Sequence, residues 1–529
     1  MKKNLFYLSV FAALFTTSCS NNDEPNPSGN ATGEQYMAVT IKDVNSGSRA
    51  VTDGGFESAI DGEGDITADK LYFFFFDEYG NAFPLVYSNV NGAEVKTNMV
   101  KPLELNKSDE TDGSDATGTL TGVLVLGKAA GEGYVGTTPH QVLCVANPRT
   151  EVMKNLENKN LNSVISQITN VPHEGWSAKD TPFVMTNSTY GKTTTTDTEV
   201  ITAVNVKDNI LTTIDAAKSN PAVIYLERLA VKVRVKYDAS YPVQKRDADN
   251  NVSVGAGTFI LDDQKVTFTA EINGWQLYNT AKTAYAFKHL SPEKYNGWGD
   301  WWNDPTKHRS YWTESEPGAE KRKTSYDLYS PNHFKAQSFN TNTPSENVIY
   351  CYENTSNPDI EINDRSKNKA TAIVIKATIK KDGKAIDMLR WAGAYYTIDA
   401  LKSKIAKAYV AQNPDAPEDA SKVEFVQDAK KNTWHAVYNV SDDNTVAMGT
   451  FKDILWWKNG VTSYYANIEH LGKKIGVVRN HIYDYTVDGI VGLGIPGNDP
   501  DTPTETESFL ACYVRVLNWH LLTNNITLE

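Results

Sequence analysis

Four cysteines (Cys19, Cys144, Cys351, Cys512) and nine histidines are the side chains best equipped for nucleophilic or metal chemistry in this 529-residue chain. Their spacing gives them no partners. There is no Cys-x-x-Cys pair, no Cys/His set at zinc-ligand spacing and no His-Glu-x-x-His. With widely spaced thiols a disulfide framework is not expected, and the thiols outside the leader read as buried apolar side chains. "GEGYVG", residues 131–136, satisfies Gly-x-Gly-x-x-Gly, but "TTPHQVLCVAN" follows it as a strand. A phosphate cradle needs the amino end of a helix at that point. "DADNN", residues 247–251, begins like a calcium loop but lacks glycine at the sixth position and glutamate at the twelfth, so it reads as a solvated turn. No Gly-x-Ser-x-Gly elbow is present. No catalytic constellation emerges, and the chain is expected to be no enzyme and to need no cofactor or metal. The densest aromatic segment holds Trp298, Trp301, Trp302, Tyr311 and Trp312. Such rings stack on sugars when exposed; packing of the loop on its own domain is the expected state.

Two positions do carry chemistry, and both concern processing of the chain. "MKKNLFYLSVFAALFTTSCS" has two lysines, an apolar run from Leu5 to Phe15, and small residues before Cys19. The run is too short to span a bilayer and reads as an export signal, residues 1–18. A cysteine after small residues resembles a bacterial lipoprotein site, where the thiol is acylated (palmitate) and becomes the first residue; Thr16 stands where leucine is more usual. The following "SNNDEP" resembles the acidic tag of surface-exported Bacteroidetes lipoproteins. The expected precursor therefore crosses the periplasm and is held in the outer membrane by the lipid on Cys19. The second position is Arg49, alone in "VNSGSRAVTDGG", residues 44–55, with no other arginine before Arg149. Clusters of Ser, Asn, Asp and Gly give exposed, mobile backbone, the kind that proteases cut.

These positions have to be placed by strands. Aromatic residues reach 11%, with 27 Tyr and 11 Trp, and Thr and Val are abundant, which suits pleated surfaces. The formal net charge is −13 without a basic block, so nucleic acid is excluded as a partner. "YMAVTIKDV" alternates, with Met37, Val39 and Ile41 on one face, and is a strand by its period. Further strands are expected at "LYFFFFDEYG", "GTLTGVLVLG", "HQVLCVANP", "TPFVMTNSTY" and "AVIYLERLAVKVRVKY". One helix is expected where Leu156, Leu161, Val164, Ile165 and Ile168 share a face. The second half repeats the style, with a helix from Ile398 to Val410. Two strand-rich blocks imply two β-sandwich domains, residues 50–237 and 238–494. A Pro/Asp/Thr linker, residues 495–508, then leads to a strand-forming segment, residues 509–529. An apolar strand on a flexible leash has to pair with something or aggregate.

The ordered set of the lipoprotein signal, the strand before Arg49, "VIYLERLAVKVRV", "WQLYNT", "RSYW", "CYENT", "VVRNHIYDYTVDGIVGLG" and the tethered terminal strand resembles the Bacteroidetes fimbrillins, or type V pilins. It is most similar to the major shaft subunits of short fimbriae. The resemblance implies a mainly β fold of two transthyretin-like sandwiches with a few short helices and a C-terminal donor strand. It also implies cleavage by an arginine-specific protease, which here falls between Arg49 and Ala50. That cut releases residues 19–49 with the strand carrying Met37, Val39 and Ile41, and a neighbour's C-terminal strand fills the groove. Leu510, Cys512, Val514 and Val516 are expected to face inward, because Arg515 on the other face is costly to bury. The implied partners are other copies of the chain and accessory fimbrillins, in a cell-surface fimbrium supporting adhesion and biofilm. An accessory or tip fimbrillin and a surface glycan-binding lipoprotein are the alternative readings.

Overall fold

The computed structural model describes residues 35–43, 70–289, 326–355, 370–497, 509–518 and 522–524. Gaps within these spans fall at 89–92, 109–118, 130, 132, 135, 149–155, 167, 170–182, 194–197, 248, 250, 330–334, 339, 341–345, 429–431 and 471–475. The fold is mainly β, as the alternation predicts.

The first half contributes β1 (Gln35–Asp43), β2 (Leu71–Phe76), β3 (Met99–Val100), β4 (Glu104–Ser108), β5 (Thr119–Leu126) and β6 (Gln141–Ala146). After α1 (Leu161–Ile165) come β7 (Met185–Asn187), β8 (Ile210–Leu211), α2 (Ile214–Ser219) and β9 (Ala222–Arg228). They form one sheet in the order β3-β2-β6-β7-β9-β1-β5-β4, with β8 also on β1. The sheet curls on itself: Phe73 and Phe75 of β2 share a core with Val39 of β1, Leu124 of β5 and Ile224 of β9. All six residues of β2 are buried. Its odd-numbered side chains enter that core, while Tyr72, Phe74 and Phe76 enter a second cluster with Ala230, Tyr350 and Ile482 of the other half. A strand that is apolar on both faces is thus explained by an interface between the halves.

The second half begins at once. The chain leaves the first sheet at Arg228 and enters the other at Ala230, with β10 (Ala230–Lys236) and β11 (Ser240–Gln244) following directly. Then come β12 (Thr269–Ala281), β13 (Val348–Tyr352), β14 (Ala372–Lys381), α3 (Ile398–Gln412), β15 (Val461–Asn467), β16 (His481–Val491) and β17 (Ile495–Pro496). The order is β13-β10-β16-β11-β12-β14-β15-β17. The sheet turns over at β11, so that Val233 and Tyr485 from one side meet Trp275, Ile375 and Tyr464 from the other in one core. The carboxyl end adds β18 (Phe509–Asn518) beside β16 and β19 (Leu522–Asn524) beside β18.

Two local expectations change. The helix expected across Leu156 to Ile168 is only the five residues of α1, because Asn160 caps it by accepting from the Ser163 amide at 2.8 Å. Leu156 lies in the preceding turn and Ile168 in a two-residue strand. There is also a separate core that two sandwiches do not include: Leu401 and Ile405 of α3 pack with Leu389, Val423, Ala436 and Tyr438 as a lobe on the second half. Among the described residues no helix is long and apolar enough to cross a membrane.

Candidate functional site

The strand before Arg49 is an interior strand. β1 lies between β5, antiparallel to it from Gln35↔Leu126 to Ile41↔Leu120, and β9, parallel to it from Val39↔Ala222 to Asp43↔Leu226. At its start β8 takes the place of β9, with Met37 opposite Ile210. Met37, Val39 and Ile41 are 0%, 1% and 1% exposed in the first core. Ala38, on the opposite face, is also buried, at 4% exposure, and so is Val123 opposite it. The reason is local: α2, capped by Thr213 on the Ala216 amide, lies against β1, β5 and β8. Burial of three apolar side chains is worth about 1.5–3 kcal/mol each, or about 4–9 kcal/mol gross. Without β1, those pockets and the facing edges of β5 and β9 open to water together.

Arg49, Ala50 and Cys19 lie outside the described residues, as does the aromatic segment from Trp298 to Trp312. β1 ends at Asp43, six residues before Arg49 in the chain.

The carboxyl-terminal segment forms the strand that its alternation predicts. β18 runs antiparallel to β16 over His481↔Asn518 to Val491↔Phe509, with one irregularity between Val487 and Gly489. Leu510, Cys512, Val514 and Val516 stand opposite Ile490, Val487, Tyr485 and Tyr483, all core residues of the second half. β16 is paired with β10 and β11 on its other side, so β18 is what covers its free edge. The groove of β1 and the resting place of β18 are therefore two separate sites, one in each half.

A buried polar network links the two halves, and only part of it was legible. Glu227 and Arg228 interrupt the apolar run "VIYLERLAVKVRV" at the end of β9, beside the wall of the β1 groove. The Arg228 amide and its Nη1 both donate to Asn480 Oδ1 at 3.2 Å, and the Asn480 amide donates to Ala230 O at 2.8 Å. Lys288 Nζ donates to Glu227 Oε2 at 2.7 Å. Arg479 donates through Nε and Nη2 to Glu353 Oε1 and through Nη2 to Tyr285 O at 2.7 Å. Burial holds the Glu227 carboxyl above its usual range, with Lys288 and Arg479 pulling it partly back. Two charges inside an apolar run were the available signal. Their partners, Lys288 for Glu227 and Asn480 for Arg228, are 61 and 252 residues away, so pairing was not readable.

The decoys resolve into turns. Gly131, Gly133 and Gly136 all have φ between 78° and 115°, and β6 follows them rather than a helix. Asp247 Oδ1 accepts from the Asp249 and Asn251 amides at 3.0 and 2.8 Å, which closes "DADNN" as a local turn. Cys144 and Cys351 are buried free thiols whose pKa burial raises.

No family model and no curated protein matches the sequence. Among solved structures, the chain is similar to a Parabacteroides distasonis protein assigned to cell adhesion, at 12% identity and a TM-score of 0.40, over 92% of this chain and 98% of that one. A C-terminally truncated tip fimbrial protein from Porphyromonas gingivalis matches at 10% identity and a TM-score of 0.30, over 92% and 99%. A fimbrial assembly protein from Parabacteroides distasonis matches at 8% identity and a TM-score of 0.28, over 93% and 99%.

Proposed function

We propose that the chain is a structural subunit of a cell-surface fimbrium, assembled by protease-triggered strand exchange. The supporting observation is the position of β1: an interior strand, paired along both edges, with Met37, Ala38, Val39 and Ile41 buried and Arg49 following six residues after its end. Cleavage between Arg49 and Ala50 leaves β1 held by non-covalent contacts alone. Its departure, with the lipid on Cys19, opens the groove. A strand on a leash from a second subunit then restores both the apolar burial and the backbone hydrogen bonds. The contact joins one end of a subunit to the other end of the next, and such a contact builds an open filament unless it closes into a ring.

An intact β1 groove together with a terminal strand favours a subunit within the shaft. A tip needs no donor strand, and an anchor needs no cleavage. The processing protease is arginine-specific, the precursor is an outer-membrane lipoprotein, and the polymer serves adhesion. Treatment of the purified precursor with an arginine-specific protease is expected to give a chain starting at Ala50 and a ladder of polymers. Precursor lacking residues 509–529 is expected to be cut and to stay monomeric. Ladders from the truncated protein would refute the role of the tail, and a chain that resists the cut at Arg49 would refute the trigger.

A further inference from the structure

The strand that leaves and the strand proposed to replace it share a pattern at every step but one. β1 reads "YMAVTIK" from Tyr36 to Lys42, and β18 reads "FLACYVR" from Phe509 to Arg515. Aromatic stands over aromatic, Met37 over Leu510, Ala38 over Ala511, Val39 over Cys512, Ile41 over Val514, and Lys42 over Arg515; only Thr40 and Tyr513 differ in class. Resting on the strand-exchange reading above, we infer that the donor enters the groove in the direction of β1 and in one register, with Ala511 taking the place of Ala38.

Ala38 decides the register. At positions 37, 39 and 41 the inner face holds Met, Val and Ile, apolar side chains for which Leu510, Cys512 and Val514 are close matches in class. The outer face at position 38 is closed, since Ala38 and Val123 are 4% and 2% exposed and α2 lies against both strands. A longer side chain there has to displace its cover. With Leu510, Cys512, Val514 and Val516 inward, a shift by two residues puts Phe509 or Tyr513 at that position, and a shift by four puts Arg515 there. Reversing the strand about Ala511 is the one alternative that keeps alanine there. It places Ser508 in the pocket of Ile41, puts Val514 at the position of Gln35, and leaves Val516 beyond the strand. The forward register fills all three pockets with Leu510, Cys512 and Val514. It runs parallel to β9 and antiparallel to β5, as β1 does. A one-residue slip would turn every side chain to the wrong face.

The outward positions provide the test. Tyr36 and Thr40 are partly exposed and stand opposite Val125 and Thr121 of β5. In the forward register, Phe509 comes opposite Val125 and Tyr513 opposite Thr121. In the reversed one these partners swap. Full-length precursors carrying Cys512→Val and one cysteine pair each are cleaved, polymerised, oxidised and resolved by heat-denaturing, non-reducing electrophoresis. Thr121→Cys with Tyr513→Cys, and Val125→Cys with Phe509→Cys, are expected to give covalent ladders; the swapped pairs are expected to stay monomeric. Ladders from the swapped pairs, or from Thr121→Cys with Ala511→Cys or Arg515→Cys, would overturn the register while leaving strand exchange intact. Polymers that persist when residues 509–529 are deleted would overturn strand exchange itself. As a second measure free of cross-linking, Ala511→Leu is expected to abolish polymer formation and Tyr513→Ala to preserve it. Assembly of Ala511→Leu at the unmodified rate would refute the register.

Discussion

A change in a strand that is later discarded should weaken the precursor and leave the fibre untouched. Ile41 is 1% exposed, between Leu120 of β5 and Ile224 of β9, and belongs to the core of the first half. Ile41→Ala removes buried methyl and methylene groups and leaves a cavity, costing about 2–5 kcal/mol. For a unit of this size each kcal/mol shifts the melting temperature by about 2–4 °C, so the first half of the precursor should melt about 4–20 °C lower. Once the chain is cut at Arg49, the same loss falls on the bound strand alone. At about 1.4 kcal/mol per tenfold, even the lower end of that range favours release of β1 by about 30-fold. Calorimetry of uncut precursor, cut monomer and assembled polymer reads the first effect, and the rate of ladder formation after protease addition reads the second. The variant precursor should melt early and polymerise faster, and its polymer should melt like the unmodified one. Equal destabilisation of precursor and polymer would show that β1 stays in the fibre and would refute strand exchange.

Arg49→Lys should remain open to trypsin yet resist an arginine-specific protease, whereas Arg49→Ala should resist both at this position; mass spectrometry of the digests checks it. Lys288→Met leaves the buried Glu227 carboxylate without its nearest cation and should cost the precursor about 3–5 kcal/mol in urea titration. Glu227 also imposes a pH dependence. A carboxyl with a raised pKa in the folded state binds its proton more readily folded than unfolded. Its contribution is therefore full below the ordinary value of about 4.5 and fades as pH rises through the raised one. Stability should decline over that window, and Glu227→Gln should flatten the decline. Cys144 and Cys351 should react with a thiol reagent only after unfolding, as quantified by peptide mapping with and without urea.

Much of the architecture was legible because strand alternation is a local property. Met37, Val39 and Ile41 announced a buried face. The fully apolar β2 announced burial on two faces, although only the packing of Phe74 against the other half shows what the second face meets. What pairs with what was not legible. That β1 lies between β5 and β9 depends on contacts spanning at least 79 and 183 residues, and no local pattern encodes them. The helix at Leu156 was overextended because helical spacing continues through apolar residues whose real neighbours are a capped turn and a short strand. The lobe around α3 is not legible for a similar reason. Its helix was visible, but a separate core forms only when Leu401 and Ile405 meet Ala436 and Tyr438. The alternation of β18 marked it as a strand in need of a partner; its present partner, β16, follows from register alone.

Strand exchange requires that the chain found in surface fibres has lost β1 and kept β18. Amino-terminal sequencing of subunits from native fibres, with intact mass measurement of the same material, addresses it directly. The expected chain starts at Ala50 and retains residues 509–529. Fibres whose subunits begin at an acylated Cys19 and still carry Met37, Val39 and Ile41 would contradict strand exchange.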